Sequence, residues 1–202
     1  KYKIVPHYAS MEWVGSNPNA KAETSDPASF YYTYPGGVYA NACKKIIYRN
    51  LYPNIDVEYS FPADSGGIKY SIILRPGANV DDIKIQYDGG NVTMDASGNL
   101  VVSSGFGNFV DHAPSTFYAN GGDIASSFLL NGTDVSFSLS PYDPTRTVII
   151  DPWVSSPTFA TNRAYDVNYD YNGNVYAYGS QTPMFQIHRH PSTIAQKCVH
   201  SY

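Results

Sequence analysis

Charge is scarce in this chain. Lys, Arg, Asp and Glu make up only 15% of its 202 residues, and the net charge is −4. No run or stripe of Lys and Arg is present, so the electrostatic footprint of a phosphate-backbone partner is missing and nucleic acid is excluded as an expected ligand. Cysteine is scarcer still, limited to Cys43 and Cys198. Two cysteines cannot build a disulfide framework, and no CxxC pair points to a zinc ribbon or a redox centre. A Cys43–Cys198 bridge would close a very long loop; two separate thiols is the simpler reading. No apolar run approaches the ~20 residues that a membrane helix needs, so no membrane span is expected. Lys1 is followed by mixed polar sequence rather than an apolar signal region. A leader is therefore expected to have been removed, or the chain to be a piece of a longer protein. No window repeats apolar residues at i, i+3, i+4 and i+7, which argues against helices.

What the chain has instead is tyrosine, glycine and proline. Tyr numbers 19, Gly 16 and Pro 14, and aromatics reach 15%. So many aromatics exclude a disordered chain, and a length of 202 residues can bury a genuine core. The balance fits a β-rich exported protein better than a helical cytosolic one.

The clearest pattern runs from Gly67 to Val102. Ile68, Tyr70, Ile72 and Leu74 alternate with wetter residues, as do Ile83, Ile85 and Tyr87, then Val92 and Met94, then Leu100 and Val102. A period of two is the signature of strands with one apolar face. Between the runs lie Arg75-Pro76-Gly77-Ala78-Asn79, Asp88-Gly89-Gly90-Asn91 and Ala96-Ser97-Gly98-Asn99, whose Gly, Asn and Pro suit turns. The expectation is a four-strand β-meander with Ile72, Leu74, Ile83, Ile85 and Met94 facing inward.

Other strands are expected at residues 11–15, 30–34, 44–48, 55–61, 125–130, 135–139 and 147–150. Residues 16–27 read as a polar loop and 110–118 as irregular. In residues 55–61, Ile55, Val57, Tyr59 and Phe61 should face in, and Asp56, Glu58 and Ser60 out. Asn131-Gly132-Thr133-Asp134 signals a hairpin. Strands at this spacing predict an all-β, antiparallel, sandwich-like domain over residues 1–153. Residues 154–202 read as a linker at Ser155-Ser156-Pro157-Thr158, one hairpin at Tyr165–Gly179, and a tail over residues 181–202 without a period.

Several short segments share a further likeness. Ile47-Tyr48-Arg49-Asn50-Leu51-Tyr52-Pro53-Asn54-Ile55-Asp56, Arg75-Pro76-Gly77-Ala78, Ile83 to Gly89, Asp95 to Leu100, Ala113-Pro114 and Val148-Ile149-Ile150-Asp151-Pro152 occur in that order. Together they resemble an uncharacterised domain that stands before SBBP-type β-propeller repeats in large secreted bacterial proteins, often of Bacteroidetes type. Tyr165 to Gly179 resembles the start of one such repeat. The resemblance implies an extracellular or cell-surface location and other domains of the same longer chain as partners, together with surface proteins or glycans. It implies no catalytic residues.

Individual constellations carry less. Asp56 and Glu58 lie two apart on one strand, with side chains about 6–7 Å apart, a separation that glycoside hydrolysis can use. A solvated strand face explains them more simply. Asn168, Asp170 and Asn172 before Gly173 resemble the first half of a calcium loop, but no closing acid follows. Hairpin turn chemistry accounts for the same residues. His188, His190, Cys198 and His200 are zinc ligand types at no standard spacing. Tyr31, Tyr32, Tyr34 and Tyr39 could stack sugars, although alternating Tyr on a half-buried sheet is commoner. Asn91-Val92-Thr93 and Asn131-Gly132-Thr133 match glycosylation acceptors but read as turns. Ser115 and His112 are neighbours with nothing to orient a nucleophile. The expected function is a non-catalytic structural or adhesive module needing no cofactor, with carbohydrate binding or hydrolysis as the alternative.

Overall fold

The computed structural model describes residues 5–60, 68–104, 107–155, 163–169, 175–180, 184–186 and 193–200. The fold is all-β and antiparallel. Among the described residues the one helical piece is a short 3-10 turn at Val80–Asp82.

One sheet has six strands. Its order is β12 (Ser126–Asn131), β13 (Asp134–Leu139), β6 (Ile85–Asp88), β1 (Val5–Trp13), β19 (Thr193–His200) and β18 (Met184–Gln186). The second sheet is larger and branched. Along its main path lie β11 (Asp123–Ile124), β10 (Ser115–Tyr118), β14 (Val148–Asp151), β5 (Ile68–Leu74), β15 (Trp153–Ser155), β9 (Gly107–Asp111), β8 (Leu100–Ser104) and β7 (Asn91–Met94). From β5 a branch runs through β4 (Ile55–Ser60) and β3 (Val38–Tyr52) to β2 (Lys21–Tyr34). Neither sheet closes into a barrel. β16 (Arg163–Tyr169) and β17 (Val175–Ser180) form a separate hairpin.

The two large sheets share one hydrophobic core. Trp13, Ile85, Phe128, Val135 and Phe137 come from the first; Ile55, Val57, Tyr59, Ile72, Leu74, Leu100, Phe109 and Ile150 come from the second. Each fully buried Ile or Leu stabilises the fold by about 2 kcal/mol relative to leaving it in water. The expected alternation holds in β5, where Ile68, Tyr70, Ile72 and Leu74 are all buried, and at Ile83 and Ile85.

The meander does not form. The 3-10 turn after β5 carries the chain across to the first sheet, so β6 pairs with β1 and β13 rather than with β5. Asp88-Gly89-Gly90 then returns it to the second sheet, where β7 pairs with β8 and β8 with β9. Gly90 permits this return: a Cβ there would lie 2.6 Å from the Ser103 carbonyl oxygen. A period of two identifies strands but does not say which neighbour they pair with. Met94, at the outer end of edge strand β7, is 41% exposed rather than inward-facing.

Three further differences have local causes. Residues 21–26 are strand rather than loop, because β2 pairs with β3 along an exposed hairpin where polar side chains are solvated on both faces. Residues 110–118 contain parts of β9 and β10, separated at Pro114. The tail is not without structure, since β19 pairs with β1 from Val5↔His200 to Glu12↔Thr193. β15 extends the ordered sheet to Ser155, inside the segment read as a linker.

β14 and β15 are one strand interrupted at Pro152, which lacks the N–H a ladder needs. Both pieces pair with β5, at Ile72–Leu74 and at Ile68–Lys69, but their outer edges face different strands, β10 and β9. Asp151 holds this junction through Ser71 Oγ, which donates at 2.6 Å, and Lys69 Nζ at 2.6 Å.

Candidate functional site

Three groups of chemically capable side chains are gathered by this fold, and two are absorbed in holding it together. The first is Asp56 and its neighbours. β3 ends in a bulge at Asn50 (φ 51°) and a tight turn at Pro53-Asn54, with Asn54 at φ 59°. Asn tolerates this left-handed backbone better than most residues. The bulge aims the Asn50 N–H at Asp56 Oδ1, 2.8 Å away. Arg49 Nη1 donates to Asp56 Oδ2 at 3.0 Å, and Arg75 Nη2 lies 3.3 Å from Oδ1 and also bonds the Asn50 amide oxygen. Arg49 Nε reaches on to Glu23 at 2.8 Å, and these partners push its guanidinium pKa further up.

The expectation that Asp56 faces solvent is therefore wrong. It does lie on the outer face of β4, but the arginine stems cover it and leave it 1% exposed. Glu58, on the same face, is bound to Lys45 at 3.1 Å. Both carboxylates are occupied by cations, so they do not present the open pair that glycoside hydrolysis uses. On the inner side of the same motif, Tyr52 donates to the Val14 carbonyl at 2.9 Å and lies 3.1 Å from that of Lys84, tying β3 to the first sheet. Burial pushes the Tyr52 hydroxyl up to about 12.

The second group lies between the sheets. Asp111 of β9 accepts hydrogen bonds on Oδ2 from Tyr70 of β5 at 2.6 Å and from Tyr87 of β6 at 2.7 Å. Its Oδ1 is buried without a hydrogen-bond partner. Desolvation raises the Asp111 carboxyl to about 7, against the opposing effect of the two tyrosine bonds. Burial likewise raises Tyr70 and Tyr87 well above the ordinary phenol range. Alongside, Trp13 Nε1 donates to Tyr59 Oη at 2.5 Å, and the Trp13 and Tyr70 rings meet edge to face at 5.9 Å. This group was not anticipated, yet a signal existed: Asp111 shares the alternation of Phe109, a buried position.

Nearby, the ring of His112 stacks on Trp153 with centroids 3.7 Å apart, and its Nε2 lies 3.0 Å from Ser155 Oγ. The hydroxyl beside His112 is thus that of Ser155, on β15, and not its sequence neighbour Ser115. Burial lowers the imidazole pKa, while the charge of Asp95 opposes that shift. The Asp95 carboxylate is itself engaged by Ser97 N–H, Asn99 N–H and the Asn99 amide, so it does not orient the ring as a triad acid would.

The third group is the free end of the β2–β3 hairpin. Beyond an irregularity between Pro27 and Tyr31, the pairs Tyr31↔Asn41, Tyr32↔Ala40, Thr33↔Tyr39 and Tyr34↔Val38 lead to the Pro35-Gly36-Gly37 turn. Gly36 and Gly37 have φ 86° and 76°, a region that favours glycine. Opposite residues share a face, so one side carries Tyr31, Thr33, Tyr39 and Asn41, while Tyr32, Val38 and Ala40 occupy the other. Phe30, Tyr31, Tyr32, Val38 and Tyr39 are all exposed. These tyrosines do not form the half-buried sheet face expected of them. Among the described residues the rings meet one another: Phe30 with Tyr32 at 5.7 Å and Tyr31 with Tyr39 at 6.2 Å. Residues 28–43 contain no charged side chain.

Cys43, at the base of this arm, is a free thiol. Of the calcium candidates, Asn168 lies on the β16 backbone, while Asp170 and Asn172 fall outside the described residues. His188 and His190 also fall outside them, and Cys198 and His200 belong to β19. Among the described residues there is no cluster of three His, Cys, Asp or Glu side chains able to hold a metal, and no helix long and apolar enough to cross a membrane.

No curated protein and no solved structure matches the chain. A family model does match, over residues 2–153, and it covers β1 to the start of β15 with the Asp56 and Asp151 motifs inside it. The chain therefore belongs to the family described as Domain of unknown function (DUF7948).

Proposed function

We propose that this domain is a non-catalytic interaction module of a secreted, cell-surface multidomain protein, and that the β2–β3 arm is its contact surface. The observation that carries the proposal is the arm itself, an uncharged hairpin end with large aromatic and aliphatic side chains exposed on both faces. Isolated apolar residues on a surface are ordinary, but a contiguous group marks a site of contact. The acidic groups that might have supported catalysis are engaged elsewhere, Asp56 and Glu58 by cations and Asp111 by tyrosines. In this reading residues 1–153 supply most of a sandwich-like scaffold of two large sheets, the smaller of which is extended by β18 and β19. Residues 154–202 lead toward propeller-type repeats resembling the SBBP kind, and the arm reaches neighbouring surface molecules.

Adhesion of beads coated with the full chain to bacterial cells tests the reading. Wild-type beads should adhere, and the combined change of Tyr31, Tyr32 and Tyr39 to Ser should abolish adhesion while leaving the thermal transition intact. Adhesion that survives those changes would overturn the proposal. So would a glycan-hydrolysing activity lost in Glu58→Gln.

A further inference from the structure

We infer that the Tyr31–Tyr39 face of the arm binds a neutral carbohydrate; this rests on the arm being the contact surface. The two faces differ in chemistry. On one face Phe30, Tyr32 and Ala40 offer a single polar side-chain group, the Tyr32 hydroxyl, and Val38, beside the turn, borders both faces. The other face alternates rings with small polar groups and forms an open groove of ≈ 390 Å³ lined by Tyr31, Thr33, Gly37, Val38, Tyr39 and Asn41. That volume lies within the range of roughly 300–1,000 Å³ typical of small-molecule sites and suits a mono- or disaccharide unit.

The lining matches a sugar in kind. A pyranose presents a face of C–H groups and a rim of hydroxyls that both donate and accept. Tyr31 and Tyr39 are 63% and 67% exposed, and their rings lie 72° apart, so one can support the C–H face while the other stands beside it as a wall. Thr33 Oγ1, the Asn41 amide and the two phenol hydroxyls supply donors and acceptors at the rim. Among the described residues no group hydrogen-bonds these side chains, so they are open to a ligand. The absence of charge over residues 28–43 excludes a site built for a sulfated or uronic sugar, which would call for Arg or Lys. A protein partner would match the continuous apolar surface on the opposite side better than this alternation. Tyr is a stiff side chain for its area, so ordering it on a ligand costs little entropy.

A glycan array probed with the full chain, followed by calorimetric titration of the best neutral oligosaccharide, tests the site. Tyr31→Ala and Tyr39→Ala should each weaken binding about tenfold, as expected for losing one ring contact. Tyr39→Phe should retain most of the affinity, and Tyr32→Ser, on the opposite face, should leave it unchanged. Absence of neutral glycan binding at millimolar concentration would overturn the inference. Binding indifferent to both Tyr→Ala changes, preference for anionic glycans, or a dimer in solution dispersed by Tyr31→Ala would do so as well. Arm-dependent adhesion that free neutral oligosaccharide fails to compete would sink the carbohydrate alone and leave the contact surface standing. Adhesion independent of the arm would sink both.

Discussion

Asp56 and Asp111 are each 1% exposed, yet they sit in opposite company. Asp56 lies on the outer face of the larger sheet beneath Arg49 and Arg75, with the Asn50 N–H completing its shell. Asp111 lies in the core between the sheets and meets only neutral donors, Tyr70 and Tyr87. A carboxylate can be buried with its charge if cations accompany it; without them, burial favours the proton instead. The same side chain thus serves as an ionic anchor in one region and as a nearly neutral staple in the other.

Removing the anchor should have the largest effect. Asp56→Ala would leave two part-exposed guanidinium groups and a backbone N–H without their acceptor. Three charge-assisted contacts at about 1.5–3 kcal/mol each, discounted because the arginines can rehydrate, put the cost at about 3–5 kcal/mol. Denaturant titration at pH 7 should show the loss. A change below 1 kcal/mol would mean the arginines are solvated without Asp56, and that the two aspartates differ less than their surroundings imply.

The second effect is one of pH. Unfolded, Asp111 titrates near 3.8; folded, it holds its proton to about 7. Between those values the unfolded chain has released a proton that the folded chain retains. The group's contribution to stability is therefore full below the unfolded value and is lost as pH rises through the folded one. Over that window the loss approaches roughly 4 kcal/mol, from about three pKa units at 1.36 kcal/mol each. Asp111→Asn cannot titrate, so the stability of wild type relative to this variant should fall by that order between pH 4 and pH 8. Parallel pH profiles would show that Asp111 is ionised in the fold.

The smallest effect is expected at Glu58. Its pair with Lys45 is partly solvated, and Glu58→Gln should cost less than about 1 kcal/mol, checked by the same titration. A larger loss would extend the anchor from Asp56 along the strand.

Much of the fold was legible in the alternation of Ile55, Val57 and Tyr59, of Ile72 and Leu74, and of Phe137 with Val135, because one face of each strand is buried. Pairing was not, since nothing local to Ile85 says that its strand joins β1 and β13. Lys21–Asp26 was missed because an edge hairpin solvated on both sides needs no apolar pattern. At the candidate site, the aromatic run at Phe30–Tyr34 was evident, but its exposure was not, since alternating Tyr reads the same on a covered sheet and on a bare arm. Strand alternation identifies the face of Asp56 but not its environment, because Arg75, which reaches it from the end of β5, is remote in sequence.

The split strand at Pro152 has a consequence for how the chain comes to be folded. β5 needs β14 and β15 on one edge, and these are the last strands of the family domain to be synthesised. Until they arrive, the edge from Ile68 to Leu74 has unpaired amides and carbonyls beside an apolar face. Such an edge is a template for any passing strand. The centre of the larger sheet therefore closes last, through contacts distant in sequence, which are slow to form. An interrupted or stalled chain would be most prone to aggregate through the segment that becomes a central strand of the larger sheet, with Ile68, Tyr70, Ile72 and Leu74 all buried.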